Sequence, residues 1–452
     1  MHQKFQDFLK NEADRHEISR AEREALILAM DGYEISTIAE RLGVKPEAVR
    51  QRLSQVYHKF NIEGRGPVKL AKLQQLLRAR YQEYQARSQE VTGADGTTLV
   101  GEEFMPRWEL SEAPDVSMGF YGRQEQLETL QKWVLQEQCR LVSIIGLADV
   151  GKTYLAAKLT HQIKDKFDCV VWKSLHRTPP LHEFLEEILL LFVNKKSLPE
   201  DTSSRMTLFL DCLRQYRCLI VFDEVERILR GSDRFGRYQE AFEDYGILLR
   251  RIGSEQHQSC LVLTSWENPL DVHKLQGATN PVRSVQLSGL THDEAREILE
   301  AEGLSGEEEW DWLIDTYRGH PLNLKLIAQT IQELFEGDVA AFKEFNTLLI
   351  GNTPMPLQEH FQRLSPLERR VVEYLATEME GEAVSFPELL KGLKSPPLGT
   401  SELIEALESL KQRSLVEPAK TGSGSSKQMQ FCLQPIVKKY IQSELAESTT
   451  AE

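Results

Sequence analysis

The run Gly146-Leu147-Ala148-Asp149-Val150-Gly151-Lys152-Thr153 follows the apolar stretch "LVSII" and leads into "YLAAKL". Gly146 and Gly151 let the backbone wrap so that successive N–H groups point inward at an anion. Lys152 is spaced to reach the outer phosphates of a nucleotide, and the Thr153 hydroxyl to ligate Mg²⁺, with the positive end of the next helix behind them. A second acidic element should follow, and "CLIVFDEV" runs apolar into Asp223 and Glu224. There Asp223 can hold Mg²⁺ through water, while Glu224 can polarise an attacking water as the catalytic base. Asp149 is the anomaly in a loop built for anions. It is expected to project into solvent and leave the inward N–H groups available; pointing inward, it would oppose phosphate by like-charge repulsion or compete for Mg²⁺.

Positioning these groups requires strands that end at one edge. "LVSIIG", "DCVVWKSL", "CLIVFDEV", "CLVLTSW" and "RSVQLSGL" are continuous apolar runs separated by helical segments. That alternation predicts a parallel sheet covered on both faces. The whole chain reads as a multidomain α and α/β protein. It comprises an N-terminal helical domain over 1–90, a linker over 91–118 and a P-loop α/β domain over 119–290. A helical extension over 291–362, a winged helix over 363–446 and a tail over 447–452 follow. The winged helix is inferred from helices closed by two short strands around a Gly/Ser loop, "SLVEPAKTGSGSSKQMQFCLQP". The linker lacks periodicity and is rich in Gly, Thr, Pro and acids.

At 452 residues the chain exceeds one ordinary core. Its hydrophobic content of 41% and charged content of 27% describe a soluble globular protein. No apolar run approaches the ~20 residues that span a bilayer, and the N-terminus lacks an apolar signal core, so a cytoplasmic location without membrane contact is expected. Six cysteines without a Cys-x-x-Cys pair suggest reduced thiols. The net charge of −15 argues against a general nucleic-acid coat, yet residues 41–80 hold ten Lys/Arg against two Glu. Such a concentrated basic segment is either a local anion-binding face or a solvated helix surface.

"FYGRQEQLETL", the phosphate loop, "CLIVFDEV", "CLVLTSW", "LSGLTHDEAREIL" and "YRGHPLNLKLIA" occur in the order found in NB-ARC ATPases of the STAND signalling class, which residues 118–440 resemble. The resemblance implies ATP or ADP with Mg²⁺, in a switch closed with ADP and open or assembled with ATP. It places Gly122 and Arg123 near the nucleotide and packs Pro321 of "GHPL" on the adenine. It makes the winged helix a lid over Gly146, Gly151, Lys152 and Thr153. Two departures accompany Asp149. Trp266 stands where the family commonly has a γ-phosphate-sensing arginine, and Gln434 stands near the place of the lid histidine. Both weaken γ-phosphate sensing more than nucleotide binding, which implies slow or absent hydrolysis.

"SRAEREALILAMDGYEISTIAERLGVKPEAVRQRLSQVYHKF" predicts a helix-turn-helix: helix Ile35–Leu42, turn Gly43–Lys45, helix Pro46–Phe60. Lys45 in the turn, and Arg50, Gln51, Gln55 and Lys59 on the second helix, could meet duplex DNA, with Arg52 flanking. Arginine and glutamine read base edges, whereas lysines mostly hold phosphates. The segment resembles LuxR-type and sigma-factor helix-turn-helices and, more narrowly, the vWA-MoxR-associated domain of cyanobacterial signalling ATPases. Such domains also serve as protein adaptors. The following helix, with Val68, Leu70, Leu73, Leu76 and Leu77, suits packing or self-association. Lys411, Arg413, Lys420 and Lys427 of the winged helix give a minor second DNA-binding option.

The resulting expectation is a nucleotide-switched signal-transduction regulator that controls transcription through its N-terminal domain and self-associates on activation. The alternatives are a scaffold that recruits a protein effector, a true ATPase machine, or a degenerate site without nucleotide. With no propeller or helical repeat array after the winged helix, the signal would come from a partner or from nucleotide and oligomeric state.

Overall fold

The computed structural model describes residues 18–30, 33, 35–60, 62, 69–70, 72–73, 76–77, 107–116, 119–193, 197–231, 236–345, 354–377, 383–393, 398–418 and 429–450. The predicted linker therefore lies largely outside the described residues, as do Val68, Lys420, Lys427 and the Gly/Ser loop. The chain divides into two compact units. The smaller comprises 1–109, 165–170 and 186–199; the larger holds 110–164, 171–185 and 200–452.

In the smaller unit, α1 (Arg20–Met30), α2 (Ile35–Leu42) and α3 (Pro46–Lys59) pack through small and branched residues. Ser19 and Glu22 cap α1 reciprocally, Ser19 N–H donating to Glu22 Oε2 at 2.8 Å. Ala25, Ala29, Ile38, Ala39, Val49 and Leu53 form one buried cluster, and small Ala39 lets α2 approach its neighbours. Gly43 turns the chain with φ of 64° and has open space where a Cβ would sit, so the backbone conformation is what requires glycine. Pro46 then starts α3, where its missing N–H costs nothing. Leu73 and Leu77, from the predicted third-helix stripe, are fully buried with Leu26 and Val56, which assigns them to packing.

The larger unit is built on a sheet. Its strands β1 (Leu141–Gly146), β2 (Cys169–Ser174), β3 (Cys218–Asp223), β4 (Cys260–Ser265) and β5 (Val282–Leu287) lie in the order β2-β3-β4-β1-β5. β1 runs parallel to both β4 and β5, and β3 runs parallel to β4. Every residue of β1, β3 and β4 is buried, as a sheet covered on both faces demands. Phe222 on β3 meets Phe184 edge-to-face, with centroids 4.9 Å apart, and each such side chain contributes about 1.5–3 kcal/mol through burial. Cys169, Cys218 and Cys260 of these strands are buried, and none of the six cysteines, all among the described residues, is in a disulfide.

Helix α4 (Lys152–Ile163) follows β1, and α5 (His292–Ala301), α6 (Trp310–Thr316) and α7 (Pro321–Phe335) form the extension beyond β5. A last group comprises α8 (Pro354–Gln362), α9 (Pro366–Thr377), β6 (Val384–Ser385), α10 (Phe386–Gly392), α11 (Thr400–Gln412), β7 (Val416–Pro418), β8 (Gln430–Leu433) and α12 (Pro435–Thr450). β6, β8 and β7 make a three-stranded antiparallel sheet, with β8 central. One continuous apolar core runs from Leu147 through Ile298, Leu324 and Ile331 to Val371, Leu403 and Val437. The extension and the last group therefore share a core rather than meeting at a polar seam. Among the described residues, no helix is long and apolar enough to cross a membrane.

Candidate phosphate-binding site

The strand order decides which groups meet. β4 lies between β1, which carries the loop, and β3, which carries the acids, so Thr264 of β4 bridges them. Its hydroxyl donates to Asp223 Oδ1 and accepts from Glu224 N–H at 3.1 Å. Thr153 Oγ1 donates to the same Asp223 oxygen at 2.9 Å. Burial raises the Asp223 pKa, and the two hydroxyl donors pull it back toward the carboxylate.

Gly146 leaves β1 with φ of 155°, and a Cβ there would lie 2.7 Å from Leu287 O. Gly151 has φ of 102° and caps α4, whose first-turn N–H groups have no acceptor within the helix. Lys152 is buried and folds over the loop, donating to Gly146 O at 3.1 Å and Leu147 O at 2.8 Å. Burial lowers its pKa, and Glu226, Asp149, Asp223 and Glu224 oppose that. Carbonyls do not neutralise a buried ammonium, whereas a phosphate does; the Thr153–Asp223 pair supplies hydroxyl and carboxylate oxygens of the kind Mg²⁺ prefers. The loop thus fits a nucleotide phosphate chain with its metal. Asp149 adopts φ of 58° and is exposed, in keeping with an outward side chain.

Glu224 also takes a left-handed conformation, φ 59°. Its Oε2 accepts from Ser174 Oγ at 3.1 Å and lies 3.1 Å from His176 Nδ1. Those partners turn the carboxylate toward the end of β2. Glu226, two residues further on, is fully buried, with its Oε2 lacking a hydrogen-bond partner among the described residues. Burial pushes its pKa up to about 7, against the pull of Lys152.

Arg123 and Gly122 reach the loop from the side. The Arg123 guanidinium donates to Val150 O at 3.1 Å and Ser288 O at 2.7 Å, so it braces the loop backbone. Gly122 has φ of 59°, and a Cβ there would collide with the Glu294 side chain. Pro321 begins α7 directly after His320, whose Nε2 lies 2.9 Å from Ala148 O. Gly319 sets that approach: its φ is 62°, and a Cβ there would run into Leu290 O. Gly319→Ala is therefore expected to cost more than about 2 kcal/mol by clash and left-handed strain, read as a lower urea midpoint.

Gln434, Arg413 and, in the smaller unit, Lys59 are placed differently from the sequence expectations. Gln434 does not approach the loop; its Nε2 donates to Glu417 Oε1 at 3.0 Å beside β7. The histidine that approaches is His360 of α8, whose Nε2 accepts from Ala148 N–H at 3.3 Å. Burial, then the Lys152, Arg363 and Arg413 charges, hold its pKa well below the usual histidine value, so the ring is neutral and can accept. Trp266, in the position of the family's arginine, stacks on that ring at 4.0 Å. Arg413 is not an exposed DNA-binding cation; it is 2% exposed and bonded to Glu267 through Nε at 2.5 Å. Only a histidine in "QEHFQRLSP" hinted at His360, and no local signal pairs Glu267 with Arg413.

In the smaller unit, Lys45, Arg50, Gln51 and Gln55 are exposed, and Arg52 is half-buried. Lys59 leaves the open face to pair with Glu22 of α1 at 2.7 Å, because the buried stripe Val49–Leu53–Val56 turns it toward that helix. Arg50 pairs with Glu47 at 3.2 Å.

Parallel strand order, glycine loop, lysine and strand-end aspartate together define a P-loop nucleotide-binding module. Residues 123–230 match the family model of the NB-ARC domain. Over 399 residues, 84% of this chain, the sequence is 36% identical to an uncharacterized WD repeat-containing protein of Nostoc sp.. The chain spans 31% of that relative's length. Among solved structures, a Walker-type ATPase of Pyrococcus abyssi aligns over 72% of this chain and 96% of its own, at 14% identity and a TM-score of 0.48. The Aeropyrum pernix Orc1 protein in complex with DNA aligns over 73% and 94%, at 16% identity and a TM-score of 0.35.

Proposed function

We propose that the chain is an ATP/ADP switch for signal transduction that controls transcription, with α2 and α3 as a DNA-binding helix-turn-helix and β6–β8 with their helices as a winged-helix lid. The observation that carries the switch is the convergence of Lys152, Thr153 and Asp223 on one loop, with the last helical group bonded to that loop through His360. When bound, the nucleotide supplies a phosphate chain whose terminal group differs between the two states. Lys152 and the α4 amides hold that chain; Thr153 and Asp223 hold its Mg²⁺. Turnover is slow in this reading, because Ser174 and His176 hold Glu224 and no arginine stands at Trp266. Presenting several N-terminal units on self-association would raise affinity for duplex DNA through effective concentration.

The DNA reading rests on exposed Lys45, Arg50, Gln51 and Gln55 after the Gly43 turn. Fluorescence anisotropy against duplex DNA at graded salt tests it. Lys45→Ala is expected to weaken binding across sequences and flatten the salt slope by about one unit, and Gln51→Ala to relax sequence preference. Affinity unchanged by removing residues 1–90 would reject it.

A second reading is a scaffold that recruits a protein effector through the same unit. It is favoured by Lys59 and Arg50 pairing with Glu22 and Glu47, which leaves Lys45 beside Gln51, Gln55 and His58 on the exposed face. Retention of one partner protein through residues 1–90, without salt-sensitive DNA binding, would support it.

A further inference from the structure

Lys152, Leu155, Ala156, Leu159, Thr160 and Ile163 make the buried side of α4. Tyr154 stands on the open side of its first turn, one residue past Thr153, with 46% of its surface exposed. A single exposed ring needs no explanation by itself, and place is what distinguishes this one. Among the described residues, no hydrogen bond, ion pair or ring contact engages it.

Helical spacing sets Lys158 one turn further along the same face. Its Nζ lies 5.5 Å from the centroid of the Phe120 ring, so that turn of the face is covered. Phe120 belongs to the segment that ends in Arg123, whose guanidinium is fixed on Val150 O at 3.1 Å and Ser288 O at 2.7 Å. The entry segment therefore meets the loop at Val150 and the helix at Lys158. Tyr154 lies midway between those points in the chain, with its ring uncovered.

The polarity of a nucleotide decides what meets this ring. Lys152 and the first-turn amides of α4 take the outer phosphates. Thr153 and Asp223, whose oxygens lie 2.9 Å apart, occupy the sheet side of that turn. The sugar and base hang from the inner end of the phosphate chain. The sheet side offers them no room, every residue of β1 and β3 being buried, so they leave along the open face of α4.

We propose that the Tyr154 ring is a platform on which the base of the bound nucleotide stacks. The assignment rests on the nucleotide-binding reading above and deepens it, by naming a residue that recognises the nucleoside rather than the phosphates. Stacking tolerates any base, because every base has a flat π-face, and the larger area of a purine gives it the stronger contact.

Calorimetric titration of the full chain with Mg²⁺ tests the platform, against ADP, UDP and inorganic tripolyphosphate, which has phosphates and no nucleoside. Tyr154→Ala is expected to weaken ADP about tenfold and tripolyphosphate less than about twofold, and to bring ADP and UDP closer together. Tyr154→Phe keeps the ring and is expected to stay within about twofold of wild type for all three ligands. A substitution that merely disturbed the loop would weaken tripolyphosphate as much as ADP. That result, or ADP affinity unchanged by alanine, overturns the platform and leaves the phosphate site standing. A phenylalanine variant as weak as the alanine one does the same. Where tripolyphosphate binds below detection, the ratio of ADP to UDP affinity decides, and a ratio unaltered by alanine overturns the platform. If the wild-type chain binds none of the three, the nucleotide reading fails and the platform falls with it.

Discussion

Lys152→Ala is expected to reduce affinity for ADP and ATP by at least about 100-fold, or about 2.7 kcal/mol, in calorimetric titrations of the full chain. The magnitude follows from place and charge. The ammonium is buried, has burial working against its charge, and among the described residues is bonded only to the carbonyls of Gly146 and Leu147. Exchanging those neutral acceptors for phosphate oxygens makes charge-assisted bonds in a low-dielectric site, about twice as strong as neutral ones. Alanine removes that gain and a cation that offsets Asp223, Glu224 and Glu226, so the loop meets an anion with less balanced negative charge. Affinity unchanged by the substitution would mean that phosphates are not held at this loop.

Arg413→Ala is expected to lower stability by about 3–5 kcal/mol, measured by urea unfolding. The cost comes less from the bond removed than from what stays behind. Among the described residues, Glu267, 4% exposed, would keep only Arg363 as an ion-pair partner, and Glu368, fully buried and 3.9 Å from Arg413, would lose that cation. Pairing the change with a neutral partner, as in Glu267→Gln with Arg413→Met, is expected to recover the part of the loss that comes from Glu267, because that carboxylate is then no longer left buried with one cation fewer, while Glu368 still lacks Arg413. A single variant as stable as wild type would show that water reaches this cluster.

Much of the nucleotide module is legible in the chain of residues alone. All five strands lie within two residues of their expected starts, and the last stops at Leu287 rather than Leu290 because Leu290 N–H turns to Gly319 O. Asp223 meets Thr153 across the sheet, as chemistry requires of two groups serving one metal. The exposed Asp149 also follows local logic, since a loop with inward N–H groups has its side chains turned out. Lys59 departs from the expected open face because helical periodicity carries no sign that Glu22 of α1 stands beside it. Gln434 departs for a similar reason: position in a family pattern does not say what the side chain touches, and here it touches Glu417.

What the sequence by itself determined is the set of local propositions: a glycine loop between strand and helix, acids at a strand end, a glycine turn between two short helices. Each depends on residues near one another in the chain, where backbone geometry and apolar periodicity leave few choices. Tertiary structure alone decided that His360, 212 positions from Ala148, accepts its N–H, and that Glu267, 146 positions from Arg413, pairs with it. Such contacts are set by how helices pack over a shared apolar core, and a lone histidine or glutamate carries no mark of the partner that packing will bring.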